Sequence, residues 1–111
     1  MENELLKRIE RLEYHQQLLL RMANKEKHEF DWMIVKHMLG KEEVEEFYKL
    51  CEELSKKCKE QKAEGFVFHA PLYYEFIERL HPKLNVKEII QACLAQGMFV
   101  PLMRELKRNL E

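Results

Sequence analysis

The side chains able to do chemistry in this chain are few and scattered. His37, His69 and Tyr73 are the candidates for a small-ligand or enzymatic pocket between helices or between protomers. Catalysis needs a nucleophile, a base and a stabiliser held in mutual reach, so these three matter only if the fold gathers them. His37 falls on an apolar helical face with no Cys, Asp or second His three or four residues on, which marks it as a core histidine rather than a ligand. The three cysteines are odd in number and lack CxxC spacing, as in a reducing compartment. Cys51 and Cys58 lie seven apart on one helix, about 10 Å along its axis and too far for a disulfide. They read as small core residues. No catalytic, metal-ligand or phosphate-binding pattern rises above background, so no catalytic residue, metal or cofactor is expected.

The most basic window, Lys56-Lys57-Cys58-Lys59-Glu60-Gln61-Lys62, has no Arg to read base edges and no aromatic interleaving to stack on. It reads as a solvated helix end. The short helices around Gly97 imitate a helix-turn-helix, but the second begins Val100-Pro101-Leu102-Met103, not with the polar side chains of a recognition helix. Nucleic acid is therefore a weak expectation, resting on this run and the basic end of the last helix.

The element with the clearest purpose is an amphipathic stretch from about Glu4 to Met22. Leu5, Ile9, Leu12, Gln16, Leu19 and Ala23 alternate in steps of four and three, the a/d spacing of a heptad seam. With Leu5 at d, Arg8 takes g and Glu13 takes e of the next heptad, the offset that reaches a neighbouring helix of a parallel coiled coil. Arg8-Ile9-Glu10-Arg11-Leu12-Glu13 resembles the trimerisation signature of Arg, aliphatic, any two, aliphatic, Glu. By that resemblance Arg8 pairs with Glu13 of an adjacent protomer while its stem covers the Ile9 layer. The seam is shorter than three or four full heptads, and a helix inside a monomeric bundle can carry the same stripe. Leu6 and Leu20 at e and Met22 at g widen the apolar face, as expected of a helix that serves both an intersubunit axis and its own domain. Self-association, with a homotrimer favoured, is the expectation. Gln16 would be its polar layer, fixing register or gathering three amides around a water or small anion.

Composition agrees with a helical protein. Of 111 residues, 46% are hydrophobic and 35% charged, with three Gly and three Pro, which excludes a disordered chain and disfavours a β-rich one. A chain of this length buries roughly 65% of its unfolded surface and needs no staples. Net charge is -1, so no global pull toward nucleic acid or anionic membrane follows. Met1-Glu2-Asn3-Glu4 does not resemble a signal peptide, and no run approaches a membrane span. A cytoplasmic protein with no membrane partner is expected.

Along the chain, an oligomerisation helix over residues 1–23 precedes a helical body over 24–111. Asn24 is placed to cap a second helix from about His28 to Leu39, with Phe30, Met33, Ile34, His37 and Met38 on its apolar face and Gly40 as its stop. His15 and His28 fall outside. A third helix, from about Lys41 to Ala63, carries Val44, Phe47, Cys51, Leu54 and Cys58 inward and ends at Gly65. Its glutamates crowd the start and its lysines the end, as the helix dipole prefers. Phe66, Val67 and Phe68 are expected to plug the core, and Pro71 to take the first position of a fourth helix. Leu72, Tyr73, Phe76, Ile77 and Leu80 face inward there, Tyr74 outward, and His81-Pro82 ends it. Asn85 with Glu88 opens a fifth helix that Gly97 closes, and Pro101 starts a sixth carrying Leu102, Met103, Leu106 and Leu110. The fold class is all-α, a compact domain of about six helices with a coiled-coil-like first helix.

Read whole, the chain resembles the YhaI-like family, small proteins of Bacillus-type bacteria that carry a domain of unknown function. The resemblance rests on Arg8-Ile9-Glu10-Arg11-Leu12-Glu13-Tyr14, Cys51-Glu52-Glu53-Leu54-Ser55, Gln61-Lys62-Ala63-Glu64-Gly65-Phe66-Val67, Gln96-Gly97 and Leu102-Met103. It implies an all-helical cytosolic fold with no assigned activity, cofactor or catalytic residue. One departure is Gly40 before Lys41-Glu42-Glu43, where the family pattern has Ser, which implies a weaker cap. Three functions remain in order: a homo-oligomeric interaction or scaffold protein with an unknown protein partner, a ligand binder or enzyme, and a nucleic-acid-associated regulator.

Overall fold

The computed structural model describes residues 1–66 and 69–110. Those residues form α1 (Glu2–Met22), α2 (Glu29–Lys36), α3 (Lys41–Ala63), α4 (His69–Arg79), α5 (Val86–Gln96) and α6 (Val100–Lys107), then a 3₁₀ turn (Arg108–Leu110), with no strand among them.

The core is built by α2 to α6. Phe30 of α2 stacks on Phe47 of α3 with centroids 5.2 Å apart, and Phe47 meets Phe76 of α4 edge-on at 6.2 Å. Leu54, Ile89, Ile90, Leu102, Met103 and Leu106 are fully buried around them. The period of 3.6 residues accounts for most of this. The stripe on α3 runs inward as its spacing requires, Leu50 joins it, and Val44 stays half-buried at its start. Tyr74 faces out and His15 and His28 are exposed, as expected.

Helix ends show where local chemistry overrules pattern. Three helices finish in the same hydrogen-bonded reversal, in which a residue just past the end donates five residues back to a carbonyl. Phe66 N–H reaches Gln61, Met98 reaches Cys93 and Leu39 reaches Ile34. The left-handed position of that motif belongs to Gly65 (φ +97°) and Gly97 (φ +76°) in two cases, but to Met38 (φ +57°) in the third. α2 therefore stops at Lys36, and Met38 is turned out to solvent rather than into the apolar face. Gly40 is not the stop. It is the cap residue of α3, where the Glu43 carboxylate accepts its N–H at 2.9 Å. This is the reciprocal half of a capping box, and Gly40 has no side chain to accept from the first-turn N–H groups.

Five other expectations are corrected. The Asn24 oxygen accepts from Glu26 N–H inside its own turn and leaves the start of α2 to His28, which makes no side-chain cap. Pro71 is the third residue of α4, because the helix begins at His69. Phe66 is half-exposed and does not plug the core; Val67 and Phe68 lie outside the described residues. His37 is half-buried at the end of α2 and Ile77 is mostly outside the core, since each sits at the margin of its apolar arc. Asn85 does cap α5, accepting Glu88 N–H at 3.0 Å.

No residue of α1 is buried. The molecule measures 61 × 27 × 20 Å with a radius of gyration of 17.2 Å, against about 13 Å for a compact domain of this size. A helix of 21 residues is roughly 31 Å long, and its projection from the body accounts for the excess.

Candidate functional site

α1 exposes Leu5, Leu6, Ile9, Leu12, Leu19 and Met22, each at 48% or more. That is an apolar face without a partner in the single chain. Its attachment to the body runs through two hydrogen bonds to backbone, with Gln16 Nε2 donating to the Val35 carbonyl at 3.2 Å and Trp32 Nε1 donating to the Leu20 carbonyl at 3.4 Å. Val35 belongs to the last turn of α2, and its carbonyl also accepts Met38 N–H at 3.2 Å. The amide expected as a polar layer on the seam is therefore, in one chain, the strut that holds α1 against α2.

Between the two helices lies an open groove of about 910 Å³. Leu12, Leu19 and Leu20 form one wall, Trp32 and Val35 the other, and Asn24, His28 and Asp31 close the end. The Trp32 ring is flanked by Lys25 Nζ, 4.8 Å from its centroid, and Lys36 Nζ at 5.7 Å. Within the groove only Asp31 carries a fixed charge. Towards the other end of α1, Leu5, Ile9, Arg8 and Glu13 stand clear of the body, and among the described residues neither Arg8 nor Glu13 has an ion-pair partner within the chain.

The pocket residues do not gather. His37 lines a small hollow between α2 and α5 with Glu29, Lys36, Glu88 and Gln91. His69 sits at the start of α4, with Nδ1 2.8 Å from Glu105 Oε2, near but without the alignment of a hydrogen bond. Tyr73 is one turn further along the same helix, its ring against Tyr74 at 6.0 Å. Among the described residues no group of three or more His, Cys, Asp or Glu is placed to hold a metal ion.

Glu105 is the charged residue that sequence reasoning missed. It is 7% exposed and meets Lys62 at 3.3 Å, His69 at 2.8 Å and Arg108 at 3.4 Å. It lies three residues after Leu102 and one before Leu106, inside the apolar arc of α6, and that position was the available signal. The basic run on α3 is likewise partly committed, because Lys57 pairs with Glu75 at 2.7 Å and Lys62 with Glu105. The hydrogen bond from Lys57 holds the Glu75 carboxyl below the ordinary range, with Arg79 adding to it. Burial raises all three thiols, Cys93 to about 12, so they are protonated and inert near neutrality.

No helix among the described residues is long and apolar enough to cross a membrane. What the described residues offer is an amphipathic helix with an exposed apolar face, beside an open groove, on a body in which they gather no reactive centre. The family model described as a protein of unknown function, DUF1878, matches residues 1–111, and the chain belongs to that family.

Proposed function

We propose that this protein is a homotrimeric interaction or scaffold protein, in which α1 gathers three copies and the helical bodies present a repeated surface to a protein partner. On this reading residues 1–23 are the assembly element and 24–111 the body. The observation that carries it is the face of α1: Leu5, Ile9, Leu12 and Leu19 keep heptad spacing, and each remains about half or more exposed in the single chain. The heptad offset of Arg8 and Glu13 favours parallel neighbours, and the resemblance of Arg8-Ile9-Glu10-Arg11-Leu12-Glu13 to the trimerisation signature favours three strands. Symmetry multiplies a weak contact, which suits a scaffold that presents the same surface several times. Within its family, the likeness to the YhaI-like proteins of Bacillus-type bacteria and a cytoplasmic location belong to the same proposal.

The test is solution mass by light scattering on the intact chain and on an Arg8→Ala, Glu13→Ala double variant. The expected result is three chain masses for the first and a smaller species for the second. A chain that stays monomeric at about 100 μM, above the micromolar range of weak specific assemblies, would overturn the proposal.

A further inference from the structure

We infer that the groove between α1 and α2 is the seat of a second copy's α1, so that Trp32 and Val35 of the body belong to the subunit interface. This rests on the assembly reading above and adds to it a surface that the heptad pattern does not contain. A seam alone predicts three helices meeting on an axis, with the bodies hanging outside. The geometry differs along α1. Near Leu5 and Ile9 the seam is open on all sides, whereas from Leu12 to Ala23 it looks across the groove at α2. A neighbouring helix that follows the seam therefore runs into the groove.

Size and chemistry agree with that occupant. Two turns of helix, a cylinder about 10 Å across and 11 Å long, fill roughly 850 Å³, close to the groove's 910 Å³. In a parallel, in-register assembly the segment that arrives is two turns drawn from the partner's own stretch from Leu12 to Ala23. That stretch holds two charges, Glu13 and Arg21, in twelve residues, and its second half is the apolar run Leu18-Leu19-Leu20. The walls it meets are Leu12, Leu19, Leu20, Trp32 and Val35, with Asp31 at the end. An apolar segment thus faces an apolar cleft. The Gln16 strut to Val35 fixes the spacing between the walls, so the cleft is formed before the partner arrives.

Trp32 is the chain's single tryptophan, and it reports on the groove without any substitution. The experiment follows its emission on the full-length wild-type protein as concentration is raised through the range in which light scattering shows assembly. A blue shift that tracks the mass is expected. In parallel, Val35→Glu places a charge on the body wall and leaves every residue of α1 unchanged; it is expected to weaken association at least about tenfold, or 1.4 kcal/mol, with helicity by circular dichroism retained. If the wild type assembles, Trp32 emission stays constant and Val35→Glu assembles normally, the groove inference is overturned while the seam reading stands. A wild type that remains monomeric removes both.

Discussion

At the scale of single residues, Glu105 shows how much a buried charge depends on its neighbours. Its partners come from the end of α3, the start of α4 and the last turn, and Lys62 and Arg108 keep about half or more of their side chains in water. Removing the carboxylate therefore leaves cations that can rehydrate. Glu105→Gln should cost about 1–3 kcal/mol in urea unfolding, at the lower end for a broken buried pair, and Glu105→Met, of similar volume, should recover most of it. The thiols give a second residue-scale prediction. Cys51, Cys58 and Cys93 are buried and held protonated, so an aromatic disulfide reagent should label the native chain slowly and all three together once it unfolds. Both outcomes depend on burial, which the sequence announces unevenly. The cysteines repeat with the apolar stripe and were legible; a glutamate followed by leucine on a charged helix looks like surface until three elements converge on it.

At the scale of elements, the length and faces of helices were written in the sequence, and their ends much less so. α3 has the bounds its pattern predicted because its acidic start, basic end and Gly65 all act locally. α2 does not, because its reversal falls on Met38, a residue with no sequence mark for a positive φ. Met38→Gly should accordingly raise stability by about 0.5–1 kcal/mol, since the side chain is exposed and the strained backbone is relieved. Gly97→Ala should cost about 1 kcal/mol for the converse reason, there being open space around the added methyl. Carboxylates on α3 and α4 that have partners in the folded chain add a pH dependence of known sign. Glu75 is held below its ordinary range chiefly by Lys57, and Glu43 below it chiefly by the Gly40 N–H with His81 contributing. In the window between folded and unfolded values the unfolded chain binds more protons. Stability is then full above the ordinary carboxylate range and falls as pH drops through the folded values. Glu75→Gln should flatten part of that acid loss, read as Tm against pH from 6 down to about 3.

At the scale of the whole molecule, the all-helical class, the six-helix order and the separate character of α1 were legible, because hydrophobic period and breaker residues carry them. The groove was not. It depends on the angle at which α1 leaves the body, set by Trp32 and Gln16 reaching backbone carbonyls, and neither bond has a signature in spacing. The elongated form has one further consequence. Since α1 places nothing in the core, a substitution on its exposed face leaves the packing of the body untouched and, on the assembly proposed above, is felt in the association of copies. Two histories are thereby uncoupled within one polypeptide. Phe30, Phe76 and Ile90 answer to folding, whereas on the proposed trimer Leu5, Ile9 and Leu12 answer to assembly. In a lineage that no longer assembled, those leucines and that isoleucine would be expected to drift to polar residues while the body stayed as it is.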